Sequence, residues 1–125
     1  MKKSIVVFSG IIVLLVLSGC TNVQANKNYI LATGGTSGTY YPYGGAMANI
    51  WNTKIDKMNV TAQSTGASAE NLRLISKGEA EFGIVQNDVL DYAYHGTDMF
   101  AGQKLDNLAA LGTLYPEVVQ IAATK

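Results

Sequence analysis

Apolar positions along the chain change their spacing in a regular way. Tyr29-Ile30-Leu31-Ala32 is a continuous apolar run, which with Thr33 has the length and residue type of a strand, Tyr29–Thr33. After a polar, glycine-rich stretch, Pro42 opens a helix that runs to about Thr53. Ala46, Met47, Ile50 and Trp51 share one side of it, and Asn49 and Asn52 point away. Asn59–Ser64 reads as a second strand, with Val60 and Ala62 on one face. Ser68 is the expected N-cap of a helix over Ala69–Lys77, whose apolar face is Leu72, Leu74 and Ile75 and whose stop is Gly78. Glu81–Gln86 is a third strand carrying Phe82, Ile84 and Val85. Asn87-Asp88 then caps a helix from Val89 to about Tyr94, ended before Gly96. Thr97–Asp106 is polar and reads as a surface connection. Leu108–Leu114 looks like a strand broken by Tyr115-Pro116, and Val118–Ala123 like a last strand.

Strand, short polar turn and helix start thus recur three times. That alternation implies an α/β fold with a mainly parallel sheet flanked by helices. In such sheets ligands collect beyond the carboxyl ends of the strands. The turns Gly34–Tyr41, Thr65–Asn71 and Gln86–Asp88 are therefore expected on one rim. The first is the richest, with three glycines and the hydroxyls of Thr36, Ser37 and Thr39 ahead of a helix start. Such a segment can aim N–H and hydroxyl groups at one point, where an anion also feels the positive end of the helix.

The N-terminus belongs to a different part of the molecule. Lys2-Lys3 precedes an apolar run from Ile5 to Leu17, and Leu17-Ser18-Gly19-Cys20 follows. The run is short for a membrane span and fits a secretory signal, and Cys20 stands where a bacterial lipobox places its lipidated residue. Residues 1–19 are accordingly read as a lipoprotein signal peptide, 20–28 as a lipid-anchored tether, and 29–125 as the folded unit. The expected location is extracytoplasmic, on the periplasmic or outer face of the cell membrane. Loss of residues 1–19 removes Lys2 and Lys3 from nine basic residues, leaving seven against nine acidic, a charge of about −2. No basic stripe recruits nucleic acid. With the single cysteine lipidated, none remains for a disulfide, so the core must hold the domain together.

Enzyme signatures fail on inspection. A phosphate-binding P-loop needs Gly-Lys-Ser/Thr, and no lysine lies between Lys27 and Lys54. A nucleophile elbow needs a glycine two residues either side of the serine, and Thr39 breaks that spacing after Ser37. The single histidine, His95, reads as a solvent-facing residue at a helix C-terminus, and partners for a metal are lacking. No catalytic residue, cofactor or metal is assigned. Binding fits better, with Thr36, Ser37, Thr65, Ser68, Asn71 and Gln86 as neutral donors and Tyr40 and Tyr41 adding apolar faces with polar tips. Asp88 is either a ligand acceptor or a helix cap. Arg73 is either a bidentate clamp on a carboxylate or part of a solvated helix face. Gly44-Gly45 admits either a ligand or tight helix–sheet packing.

In this order, Gly34-Gly35-Thr36-Ser37-Gly38-Thr39-Tyr40-Tyr41-Pro42, Thr65-Gly66-Ala67-Ser68-Ala69-Glu70-Asn71 and Phe82-Gly83-Ile84-Val85-Gln86-Asn87-Asp88, with the lipobox and Leu111-Gly112-Thr113-Leu114-Tyr115-Pro116-Glu117, resemble a TAXI-type solute receptor of the tripartite ATP-independent periplasmic (TRAP) transporters. The resemblance covers nearly all of residues 29–125. It implies a class II periplasmic-binding-protein-like lobe, here expected to be truncated before a second lobe. It also implies a small carboxylate such as glutamate or 2-oxoglutarate as solute, and a sodium-coupled TRAP membrane permease as partner. By motif it places ligand contacts on Gly35, Thr36, Ser37, Tyr40, Tyr41, Thr65, Gly66, Ala67, Ser68, Asn71 and Gln86, with Leu114 and Tyr115 near the hinge. The alternative reading is a truncated surface lipoprotein without a transport role.

Overall fold

The computed structural model describes residues 26–118 and 121–124. The signal peptide read over 1–19 and the lipidation expected at Cys20 lie outside the described residues. Strand β1, Lys27–Ala32, is the middle of a three-stranded sheet, flanked by β2, Met58–Gln63, and β3, Phe82–Gly83. Both pairings are parallel, with Leu31 opposite Ala62 on one side and Phe82 on the other. Helix α1, Tyr40–Lys54, links β1 to β2, and α2, Ser68–Ser76, links β2 to β3. Helix α3, Asn87–His95, and a 3-10 turn at Asp98–Phe100 follow. The chain is thus an α/β lobe built on a parallel sheet, as the alternation of strands and helices implies. Lys27 and Asn28, assigned to the tether in the sequence reading, are strand residues. Among the described residues no helix is long and apolar enough to cross a membrane.

Alternation along the strands feeds two cores. Leu31, Val60 and Ile84 pack with Ala48 of α1, and Phe82 touches Trp51 with ring centroids 5.2 Å apart. The second core joins Leu72 of α2, Val89 and Ala93 of α3, and Phe100. Gly44 and Gly83 allow α1 and α2 to approach the sheet. A Cβ on Gly44 would lie 2.5 Å from the Thr33 Cγ2, and one on Gly83 would lie 2.9 Å from the Ile75 Cδ1. Of the two readings of Gly44, packing is the one realised. A consequence is that the buried side of α1 is Gly44, Met47, Ala48 and Trp51, while Ala46 and Ile50 face solvent. Close approach at the glycine sets the face, and apolar spacing alone places it about one residue off.

Asn52 does not point away. Its Nδ2 donates to the Val60 carbonyl at 2.9 Å and its Oδ1 accepts from the Val60 N–H at 2.6 Å. Because β2 is an edge strand, these bonds satisfy backbone groups that would otherwise template another chain. Strand β3 is shorter than expected because the Ile84 carbonyl bonds to Asn71. The expected strands at Leu108–Leu114 and Val118–Ala123 do not form among the described residues, where Leu111 and Ile121 are 82% and 92% exposed. With β3 only two residues long, the sheet offers them almost no ladder to extend. Thr97–Asp106 is more than a surface connection, since Phe100 within it is wholly buried.

The two adjacent glycines of α1 should respond oppositely to alanine. Gly44→Ala forces stiff, buried Thr33 to move and should destabilise by about 1–3 kcal/mol. At Gly45 a Cβ meets nothing within 4 Å, so Gly45→Ala should stabilise by roughly 0.5–1 kcal/mol through helix propensity. Urea denaturation of the two variants measures both signs.

Candidate functional site

The three turns meet beyond the carboxyl ends of β1 and β3. The first begins where Thr33, fully buried, donates from its hydroxyl to the Gln63 carbonyl at 2.6 Å. Gly34 then accepts from the Ser64 hydroxyl and the Thr65 N–H, stitching the first turn to the second. Gly38 closes a tight turn onto the Gly35 carbonyl at 2.9 Å. In the second turn, Ala67 has φ 68° and ψ −152°, a conformation normally left to glycine. It is held by the Thr65 Oγ1, which accepts from the Ala67 N–H, and by Glu70, whose carboxylate accepts from Gly66 at 2.7 Å.

Asn71 ties these parts together. Wholly buried, it donates to the carbonyls of Thr33 at 2.6 Å and Ile84 at 2.8 Å, and accepts from the Thr65 hydroxyl at 2.6 Å. One amide therefore fixes the ends of β1 and β3 and the second turn. With both donors committed to carbonyls, Asn71 braces the rim from beneath and does not face a ligand. Ser68 is likewise not the N-cap, a position taken by Ala67. Its hydroxyl accepts from the Gln86 N–H at 2.9 Å, joining the second turn to the third.

What the turns enclose is an open cavity of about 250 Å³ lined by Gly34, Gly35, Gly38, Thr39, Tyr40, Ala67, Ser68, Gln86 and Glu117. Of the residues singled out from sequence, Gly35, Tyr40, Ala67, Ser68 and Gln86 are brought together in its wall. Thr36, Ser37, Tyr41, Thr65, Gly66, Asn71 and Tyr115 are not among the lining residues. Thr36 and Ser37 lie exposed on the outer part of the first turn. Tyr115 packs its ring on Tyr43, centroids 5.5 Å apart. Among the described residues no lysine, arginine or histidine lines the cavity.

Two side chains read as candidate chemistry, Arg73 and Asp88, are used otherwise, while His95 sits solvent-facing at a helix C-terminus as expected. Arg73 is neither clamp nor solvated face: its guanidinium lies 4.6 Å from the centre of the Phe100 ring and donates to the Met99 carbonyl at 3.1 Å. Asp88 lies in the first turn of α3, whose N-cap is Gln86, and its carboxylate accepts from the Val89 N–H. His95 is exposed at the opposite end of α3, against Asp91. Among the described residues no group of three His, Cys, Asp or Glu side chains is placed to hold a metal.

Gly34, Gly38 and Thr39 join the wall from within the first expected turn, and Glu117 is the lining residue from outside the three turns, to which sequence reasoning gave no role. Its carboxylate accepts from the Gln86 amide at 2.7 Å and from the Tyr115 hydroxyl at 3.3 Å, and it meets the Tyr40 hydroxyl, which also meets Ser68. Burial of Tyr40, together with the hydrogen bond and charge of Glu117, pushes the Tyr40 phenol up to about 12. Burial and Glu117 raise Tyr115 as well.

A parallel α/β lobe with its cavity where β-to-α turns converge is the architecture of a periplasmic-binding-protein-like domain. Residues 31–125 match the model of the NMT1-like family, which is of that kind, and the chain belongs to the NMT1-like family. Its role is accordingly the binding of a small solute.

Two outcomes test this geometry. Asn71→Ala leaves two buried carbonyls without their donor and should cost roughly 2–4 kcal/mol in chemical denaturation. The Tyr40 phenol is favoured in the folded state, so its contribution to stability is present below pH 10 and is lost as pH rises through about 12. An ultraviolet phenolate titration should show Tyr40 and Tyr115 ionising later than the ordinary tyrosine range, and Tyr40→Phe should remove the step near pH 12.

Proposed function

We propose that the chain is a lipid-anchored, extracytoplasmic solute receptor of the TAXI type, which captures a small carboxylate and delivers it to a TRAP-type secondary transporter in the membrane. Its part is binding and not catalysis. The observation that carries this reading is the convergence of three β-to-α turns on one cavity walled by glycine backbone, hydroxyls and an amide. Such walls offer N–H and O–H donors to a carboxylate, and each hydrogen bond to a charged group contributes roughly 1.5–3 kcal/mol. Three or four of them exceed an association cost of at least ~4 kcal/mol by a small margin, where micromolar affinity needs about 8. The rim is open to water, so this lobe binds weakly without a second surface closing over the solute. The lipobox-like start and the turn motifs support the anchor and the TAXI assignment.

Thermal denaturation of the full chain with glutarate, 2-oxoglutarate and glutamate tests the reading. A saturating solute should raise Tm by several degrees, since ligand at about 100 times Kd stabilises by ~2.7 kcal/mol. Gly35 lines the cavity and a Cβ there meets nothing within 4 Å. Gly35→Val should therefore keep its solute-free Tm and lose the solute-induced rise. A millimolar panel that moves neither protein would overturn the assignment.

A further inference from the structure

The cavity already holds a carboxylate, and it belongs to the chain. Glu117 accepts from Gln86 and meets Tyr40, two of the groups expected to receive a solute's carboxylate. It arrives from a segment with no secondary structure, pinned by the Tyr115 ring against Tyr43 and stiffened by Pro116. The surroundings favour an anion. The N-cap residues of α1, α2 and α3 all line the cavity, and none makes a side-chain cap hydrogen bond. Three helix starts, each with a positive end, thus border it, and among the described residues Glu117 is the single charged one in the lining.

We infer that Glu117 is an internal stand-in for the solute: its carboxylate occupies the anion seat, and an incoming carboxylate must displace it from Gln86 and Tyr40. This rests on the solute-binding reading above and adds competition to it. The donors cannot serve two carboxylates at once, and two like charges in one cavity repel. A dicarboxylate therefore exchanges with Glu117 and does not join it. The strap 115–117 swings aside when solute enters, and the chain's own glutamate takes up the Gln86 amide and the Tyr40 hydroxyl again when it leaves. A seat held by Glu117 nine-tenths of the time weakens the apparent affinity about tenfold.

Calorimetric titration of glutarate into the full chain and its variants tests the inference. Glu117→Ala should bind glutarate about tenfold more tightly than the parent. Glu117→Gln, uncharged but still a hydrogen-bond acceptor, should fall between them. Tyr115→Ala, which removes both the ring contact with Tyr43 and a hydrogen bond to the Glu117 carboxylate, should move the affinity in the same direction. Glu79→Gln removes one negative charge from an exposed site outside the cavity and should leave affinity unchanged. Equal or weaker binding by Glu117→Ala, or an equal gain in Glu79→Gln, overturns the competition while leaving the solute reading intact. Binding by none of the proteins overturns both. Independently of any solute, Glu117→Ala should lower the ionisation of Tyr40 from about 12, and an unchanged titration would remove Glu117 from the seat.

Discussion

The Asn71 side chain reaches the carbonyls of Thr33 and Ile84 from beneath the rim, and most of the site's geometry follows from that contact. A parallel sheet leaves its last carbonyls unpaired where the strands end, and a buried carbonyl without a donor is costly. One amide serves both ends and, through Thr65, fixes the turn that begins α2. The same arrangement sets the length of β3, because a carbonyl given to Asn71 is not available to extend a ladder. Thr33 and Ser64 complete the brace on the side of β2. The cavity wall is rigid because its backbone has nowhere else to bond.

Around that brace the two cores divide the labour. One positions α1, and with it Tyr40, through the close approach at Gly44. The other positions α2 and α3, and with them Ser68 and Gln86, through Phe100 and the guanidinium of Arg73 above it. The site is thus assembled from elements that pack on different faces of the sheet and meet only at its end. Glu117 is added to this wall from outside the regular elements, and its partners come from both groups of helices.

The arrangement of strands, helices and turns was legible because each strand's apolar run ends in polar turn residues, although the capping residues themselves, Thr39, Ala67 and Gln86, were not the ones expected. Gly35, Tyr40, Ala67, Ser68 and Gln86 could be brought to one rim from that alternation alone. What escaped were contacts that local pattern does not encode. Phe100 is a single aromatic in a polar stretch, and nothing in its neighbours marks it as a core anchor. Asn52 looks like a solvent-facing helix residue until β2 is known to be an edge. Leu108–Leu114 has strand-like composition, but composition does not supply the neighbouring ladder a strand needs. Glu117 follows a proline in a segment without periodicity, and its meaning comes from Gln86 and Tyr40, far away along the chain.

The place of β1 in the middle of the sheet has a consequence for the order in which the molecule can assemble. Its ladder partners, Met58–Gln63 and Phe82–Gly83, are both synthesised after it. Tyr29-Ile30-Leu31-Ala32 therefore leaves the ribosome as a bare apolar strand with two open edges, of which one can close once Gln63 has emerged and the other only after Gly83. Every sheet contact closes a long loop, which slows folding and lengthens that exposure. Until then the segment is a natural client for a chaperone that grips extended apolar chain.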